Sequence, residues 1–161
     1  RTLSGDTLTR HADPLEHMST ELSYALYENK LTVIEAMQDG VERVDTVNAP
    51  TLGPTSYDRI DYPYVEILPS STDFEGGNEW SHSIDLGVLF ERTKREDDYL
   101  LMMERMFEVL KSVIDELNTS GCVVSALPQS VEDFPGELNG TLLVAFRIQL
   151  RITTLIDLNE I

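Results

Sequence analysis

The sequence predicts an α+β fold: a mostly antiparallel four-stranded sheet that contains a long hairpin and carries two amphipathic helices on one face. Residues 141–158 alternate apolar with mixed side chains, which is the pattern of a strand with one buried face. Residues 96–117 carry apolar side chains at three- and four-residue steps, as a helix covering that face requires. Residues 62–68 and 80–91 are rich in β-forming side chains and are close enough in sequence to pair as a hairpin.

The first helix is expected to follow Asp13 and to end at Gly40. Pro14 suits the first helical position, and Glu16 lies three residues after Asp13, as in a capping box. Gly40 can take the left-handed conformation that commonly ends a helix. The apolar stripe of this helix comprises Leu15, Met18, Leu22, Leu26, Val33 and Met37.

The second helix begins with a capping box between Thr93 and Glu96. Its stripe should lie against the alternate apolar residues of the last strand, so that Phe107 and Phe146 are both expected in the core. The stripe comprises Leu100, Met103, Phe107, Leu110, Ile114 and Leu117, and the strand positions are Leu142, Val144, Phe146, Ile148, Leu150, Ile152 and Ile156.

The remaining segments predict short strands separated by polar connections. Residues 69–79 are interpreted as a polar connection with Gly76-Gly77 at its tip. Residues 122–127 predict a short strand, and residues 128–139 predict a polar turn region. The last strand would span ~55 Å at ~3.3 Å per residue, so it should bend, break at a bulge or project beyond its own subunit.

Composition limits the classes of function. The chain has 29 acidic and 12 basic residues and a net charge of −17, which argues against gripping nucleic acid through its phosphates. Such acidity is typical of proteins that work in molar salt, and an ordinary acidic mesophilic protein is the alternative. Residues 1–12 lack periodicity and are expected to form a flexible N-terminal arm before a single α+β domain at residues 13–161. With no apolar run of membrane-spanning length and no signal core, a soluble protein without membrane partners is expected.

No catalytic, cofactor-binding or metal-binding site is predicted. His11, His17 and His82 lack metal-ligand spacing, and His82 is expected on the solvent side of its strand. The carboxylate pairs of the second helix share an outward face with basic residues, as on a solvated surface. The single Cys122 is expected to be a buried structural thiol. The sequence therefore does not predict an enzyme.

A series of short motifs resembles the tail terminator and tail completion (head-tail joining) proteins of tailed phages. The resemblance spans residues 15–158. The motifs are an amphipathic helix, the strand Tyr62-Pro63-Tyr64-Val65, a glycine- and acid-rich hairpin at residues 73–80, an alternating strand at residues 84–90, a long helix, and two strands ending in Phe146-Arg147-Ile148.

The resemblance implies a structural virion protein of the neck, assembled in the host cytoplasm. Such a protein would form a ring, as a hexamer, at the head-proximal end of the tail tube, where it stops tube growth and joins the tail to the head connector. Its partners would be further copies of itself, the tail tube protein and the connector proteins, while DNA passes through an acidic lumen without specific binding. The acidity implies a virus of a halophilic archaeon.

The glycine-containing hairpin and the last strand are the expected contact elements, because exposed hairpins and overlong strands offer edges to neighbouring subunits. Alternatives are another ring protein of the neck or connector, a halophilic non-enzymatic binding module and, last, a small hydrolase. The candidate residues for a subunit or tube interface are Phe74, Glu75, Gly76, Gly77, Trp80, Arg147 and Arg151.

Overall fold

The last strand lies in the interior of the sheet, where it pairs on both sides with strands that precede it in the chain. The computed structural model describes residues 14–48, 51–52, 61–92, 96–138 and 140–156, so the expected arm at residues 1–12 and the capping residues Asp13 and Thr93 lie outside the described residues. The helices and strands within these ranges are α1 (Pro14–Glu42), β1 (Thr51–Leu52), β2 (Tyr64–Gly76), β3 (Glu79–Glu91), α2 (Glu96–Thr119), β4 (Val123–Leu138) and β5 (Thr141–Leu155).

Strands β2, β3, β5 and β4 form the four-stranded antiparallel sheet that the sequence predicts. The two-residue strand β1 adds a short parallel pairing beside β2, so the full order is β1-β2-β3-β5-β4. Side chains of both helices share one core with the sheet. The α+β prediction, with a long hairpin and the helices on one sheet face, is therefore confirmed.

Two segments predicted as polar connections are strands instead. Residues 69–76 continue β2 to a tight turn at Gly77-Asn78, and residues 128–138 continue β4. Almost all side chains at these strand ends are exposed, because the helices do not cover them. With neither face buried, the apolar–polar alternation that marks a strand is lost, although the backbone pairing continues.

The core is built from alternate residues of the two central strands. The rings of Phe90 and Phe146 meet edge to face with centroids 5.8 Å apart, which confirms the core position expected for Phe146. Leu142 shares this sheet face but is 53% exposed, in contrast to its predicted burial. The buried central residues are Ile84, Leu86, Val88, Phe90, Phe146, Ile148, Leu150 and Ile152.

The predicted core stripe of α2 is displaced around the helix. Phe107 is 48% exposed and Leu100 is 61% exposed, so the prediction that Phe107 lies in the core is wrong. The helix has two adjoining apolar sides, and spacing alone does not distinguish the side that faces the sheet. The residues that are buried are Met102, Met106, Val109, Leu110, Val113 and Leu117.

Gly40 does not end the first helix but lets the two helices approach each other. Helix α1 continues to Glu42. A β-carbon at Gly40 would lie 2.7 Å from the Cα of Val113, which is too close for any other residue without movement of the backbone. At the same crossing the hydroxyl of Ser112 donates a 2.5 Å hydrogen bond to the carbonyl of Gly40. The glycine therefore marks a helix–helix contact.

Candidate interaction surface

The sheet face opposite the helices carries ion-paired side chains on β2, β5 and β4. Arg147 of β5 bonds to Glu132 of β4, with Nη2 2.7 Å from Oε1. Arg151, four residues further along β5, points to the same face and bonds to Asp73 (Nη1 to Oδ2, 3.3 Å) and to Glu75 of β2. Exposed ion pairs add little stability, so their main effect is to fix the direction of both guanidinium groups.

Asp85 of β3 also lies on this open face, at a level along the strands between Arg147 and Arg151. Its register partner is Gln149. Its Oδ1 atom is buried and has no hydrogen-bond partner among the described residues. The hydrogen bond to Glu132, and then the charges of Glu132 and Asp85, raise the pKa of Arg147 above its ordinary value. The two arginines are thus fixed positive centres in a very acidic molecule.

The tip of the β2–β3 hairpin carries an exposed aromatic residue on the opposite, helix-bearing side. Phe74 is 70% exposed, and its ring meets Trp80 edge to face at a centroid distance of 5.7 Å. Trp80 itself is only 5% exposed. Gly76 and Gly77 have φ values of 88° and 59°, which glycine adopts readily, so they close the turn.

The structure brings most of the candidate interface residues together at one hairpin. Glu75 contacts Arg151, and Phe74 contacts Trp80, beside the glycine turn. Arg147 lies apart, about 13 Å from Arg151 at the rise of a strand, and belongs to a second location beside β4.

Sequence reasoning missed the second location because it interprets most of β4 as a turn. The edge strand β4 exposes several large apolar side chains, and so does the flank of α2 next to it. Tyr99 of α2 donates a hydrogen bond to Asp133 of β4, so the start of the helix lies beside this strand. The exposed apolar residues are Val124, Leu127, Val131 and Phe134 on β4, and Leu100 and Phe107 on α2. Val131 and Phe134 are strand-forming residues, but the two prolines beside them favour the interpretation as a turn.

His82 is buried, contrary to the prediction that it faces solvent. It shares a sheet face with Ile84 and the other core residues of β3, two positions along the strand. Its Nδ1 lies 2.9 Å from the hydroxyl of Thr72, and its Nε2 lies 2.7 Å from Oδ1 of Asn29 on α1. Thr154 of β5 donates to the same Asn29 oxygen at 2.8 Å. Burial, and then the charge of Lys30, lower the pKa of His82 to about 4.

This polar cluster joins α1 to three strands around the fully buried ring of His82. The Asn29 oxygen can only accept, so Nε2 of His82 carries the proton and Nδ1 accepts from Thr72. Every polar atom of the ring is then satisfied inside the core. The arrangement orients a helix on a sheet.

One cleft among the described residues, of about 300 Å³, lies between Tyr62, Phe90 and Arg105, with Glu91 and Asp98 on its rim. None of the described residues forms a cluster of three or more histidine, cysteine or carboxylate side chains that could hold a metal ion. Within the same ranges, no helix has the length and apolar character needed to cross a membrane.

Comparison of the chain with known protein families and with curated proteins gave no match.

Proposed function

We propose that this chain is a structural virion protein that forms a ring, as a hexamer, at the head-proximal end of a viral tail tube. In this role the ring ends polymerisation of the tube, joins the tail to the head connector and lets DNA pass through an acidic lumen. The source that suits the composition is a tailed virus of a halophilic archaeon. The proposal begins from the motif resemblance described above.

The observation that carries the proposal is the sheet, which no described helix covers on one face and whose two outer strands offer backbone groups to a neighbour. A monomeric protein normally protects such edges with charge, proline or a covering segment. Here prolines and the short strand β1 protect only parts of these edges, and the open parts adjoin exposed apolar residues, Phe74 at one side of the sheet and Val131 at the other. A subunit of a ring needs two different contact surfaces of this kind.

The charge of the molecule supports passage of DNA rather than its capture. With a net charge of −17, a lumen would repel phosphates unless arginines were free to contact them. Arg147 and Arg151 both lie on the open sheet face, where Arg147 is held by a carboxylate of β4 and Arg151 by carboxylates of β2. A wall of this composition would not grip a duplex.

The size of the purified protein in about 2 M KCl tests the proposal, because salt at this level screens repulsion between acidic subunits. We expect sedimentation velocity to show one discrete oligomer and electron micrographs to show rings with a central hole. A monomer or dimer at all salt concentrations would overturn the ring and favour the binding module.

Two further measurements test the position in the virion. Rings that attach to one end of purified haloarchaeal virus tail tubes support a terminator, and rings that leave both ends bare contradict it. In the same buffer the rings should not retain duplex DNA in a filter-binding assay, and firm retention would contradict a lumen through which DNA slides.

A further inference from the structure

The direction of the backbone groups of β5 follows from a single hydrogen bond. The amide of Arg92, which follows β3, donates to the carbonyl of Leu142 at 2.8 Å, so this carbonyl points from β5 toward β3. In an antiparallel ladder the direction alternates from one residue to the next. Every second residue of β5 from Leu142 onward therefore points its N–H and C=O groups toward β3, and the others point toward β4.

The same alternation determines which backbone groups of β4 point away from the sheet. Val131 and Asp133 are the register partners of Ile148 and Phe146, two of the β5 residues that point toward β3. Their own N–H and C=O groups therefore point to the open side of β4. No described strand lies on that side.

Two prolines limit this open edge to a short stretch. Pro128 and Pro135 occupy positions of the same kind, opposite Leu150 and Val144, and have no N–H to offer. The stretch between them, residues 129–134, is called here the β4 window. Its free donors are the amides of Val131 and Asp133.

Both carboxylates of the β4 window have partners within the subunit, although the molecule is strongly acidic. Glu132 bonds to Arg147 at 2.7 Å, and Asp133 accepts a hydrogen bond from the hydroxyl of Tyr99. Both carboxylates are thus occupied within the subunit. An approaching strand would meet one ion-paired carboxylate, Glu132, and one hydrogen-bonded carboxylate, Asp133.

Apolar side chains lie beside the β4 window on the helix-bearing side. Val131 is 43% exposed there. Residues 108, 112 and 116 of α2 contact the end of α1 and the turn that follows it. At 100° per residue, Leu100 and Phe107 lie on the opposite side of α2, toward β4. Their exposure of 61% and 48% leaves an apolar flank that extends the surface at the window.

A second window of similar length lies at the other side of the sheet. The backbone hydrogen bonds between β2 and β3 are formed by Ser71 and Asp73 of β2. Thr72 and Phe74 alternate with these residues, so their backbone groups point to the open side of β2. Before them, β1 covers β2 at residues 66–67 and Pro69 offers no N–H. After them comes the glycine turn. Residues 70–75 are called here the β2 window.

We propose that the β4 window of one copy of this chain pairs antiparallel with the β2 window of the next copy. The proposal rests on the ring proposed above and names its contact. Each window contains two residues, two positions apart, whose backbone groups point outward. The side chains of these residues lie on the helix-bearing side of the sheet. Phe74 of one copy would then lie beside Val131 and the α2 flank of its neighbour, where its exposed ring is covered.

The orientation and the charges fit this pairing. Strands β2 and β4 run in opposite directions in the sheet, so two copies with their helices on the same side meet antiparallel. Asp73 comes close to Glu132 across the contact, and each is held by its own arginine, Arg151 or Arg147. The two surfaces differ, so the contact is heterologous and can close a ring.

The substitution Val131→Pro tests the pairing, since it removes an amide that only the neighbour would use. The fold should tolerate it as it tolerates Pro128 and Pro135, with an unchanged circular dichroism spectrum. Sedimentation equilibrium in about 2 M KCl should show a dissociation constant raised about tenfold or more. The matched control is Glu137→Pro, which changes an outward amide beyond the window, and it should assemble as the unmodified chain does.

A second variant, Phe74→Ser, tests the other side of the contact and keeps the test decisive if Val131→Pro fails to fold. Phe74 is largely exposed, so the fold should persist while assembly weakens. If both folded variants assemble normally in a protein that does form rings, the pairing is wrong and the proposed function stands. If Val131→Pro blocks assembly and Phe74→Ser does not, β4 pairs with itself and the proposed partner is wrong. If both variants disrupt a discrete assembly that never binds tail tubes, the pairing stands and the proposed function fails.

Discussion

His82 is an uncharged histidine that joins helix α1 to the sheet. Its two ring nitrogens are both occupied, one by Thr72 and one by Asn29, and its side chain is fully buried. A proton added at Nδ1 would face the hydroxyl of Thr72 and would bring a charge into the core near Lys30. Protonation of His82 therefore sets the lowest pH at which α1 stays packed on the sheet.

We predict that protonation of His82 destabilises the protein in acid. Its pKa is about 4 in the folded chain and 6.5 as a free side chain, so the unfolded chain binds the proton first. The stabilisation is fully present above pH 6.5 and is lost as the pH falls toward 4. The loss amounts to about 3 kcal/mol, because each pKa unit corresponds to ~1.4 kcal/mol.

Urea unfolding at pH 7 and at pH 4 in about 2 M KCl measures this loss, because the salt screens the carboxylates. The matched variant is His82→Gln, whose amide can donate to Asn29 and does not titrate. It should be less stable at pH 7 but should lose about 3 kcal/mol less than the unmodified chain on acidification. Parallel losses in the two proteins would contradict the prediction.

The contact between α1 and α2 depends on the absence of a side chain at one position. Gly40 lies in the last two turns of α1, against the backbone of Val113. The atoms that a new β-carbon would meet belong to the helix backbone, which cannot rotate away as a side chain could. The spacing of the two helices is therefore set at this residue.

We predict that Gly40→Ala destabilises the protein by about 1–2 kcal/mol. Alanine favours a helix by about 1 kcal/mol over glycine, but overpacking costs about 1–3 kcal/mol, and a contact at 2.7 Å to backbone lies at the upper end. Denaturant unfolding with an unchanged m-value measures the difference. Gly121→Ala is the control, because no atom lies within 4 Å of its new methyl group, and it should be neutral or stabilising. Equal stability of the two variants would disprove a tight crossing.

Elements with one buried face could be predicted from the sequence, and elements without one could not. Strand β5 was located because Phe146, Ile148 and Leu150 alternate with polar residues under a helical layer. Strand β4 also pairs along its length with β5, but few of its side chains are buried. Its sequence therefore lacks the alternation of apolar and polar residues that would indicate a strand. The face of α2 is predicted wrongly for a related reason: Phe107 is as apolar as a core residue, although about half of its surface is exposed.

The candidate surface shows the same division. The hairpin tip with Phe74 is predicted from its glycines and aromatic residues, which are local signals, whereas only the structure brings Arg151 of β5 next to it. The β4 window depends on which side of the strand each amide faces, and this follows only from the order of strands in the sheet. Likewise, the neighbours of His82 come from positions 29, 72 and 154, which no spacing rule connects.

At the scale of the whole molecule, the excess of 17 negative charges dominates the response to salt. The described ion pairs involve only Arg43, Lys111, Arg147 and Arg151, so most carboxylates repel one another across the surface. The Debye length shortens from ~10 Å at 0.1 M salt to ~3 Å at 1 M. Repulsion within the folded chain should therefore fall sharply over this range.

We predict that the melting temperature rises by roughly 10 °C between about 0.1 M and 1 M KCl, which corresponds to a few kcal/mol for a chain of this size. Differential scanning calorimetry measures the change. A variant with Glu35→Gln, Glu42→Gln and Glu104→Gln, all exposed positions, is the control. It should melt higher than the unmodified chain in low salt and at a similar temperature in high salt. A flat salt titration would reject adaptation to molar salt.

The prolines along the outer strands have a consequence for the kinetics of assembly. Because Pro69, Pro128 and Pro135 interrupt both edges of the sheet, a single strand contact between two copies would comprise only a few hydrogen bonds and should break readily. Closure of a ring makes the last contact intramolecular, which raises the effective concentration of its partners. Open chains of subunits should then be short-lived and closed rings persistent, so misjoined subunits could separate and rejoin before the circle is complete.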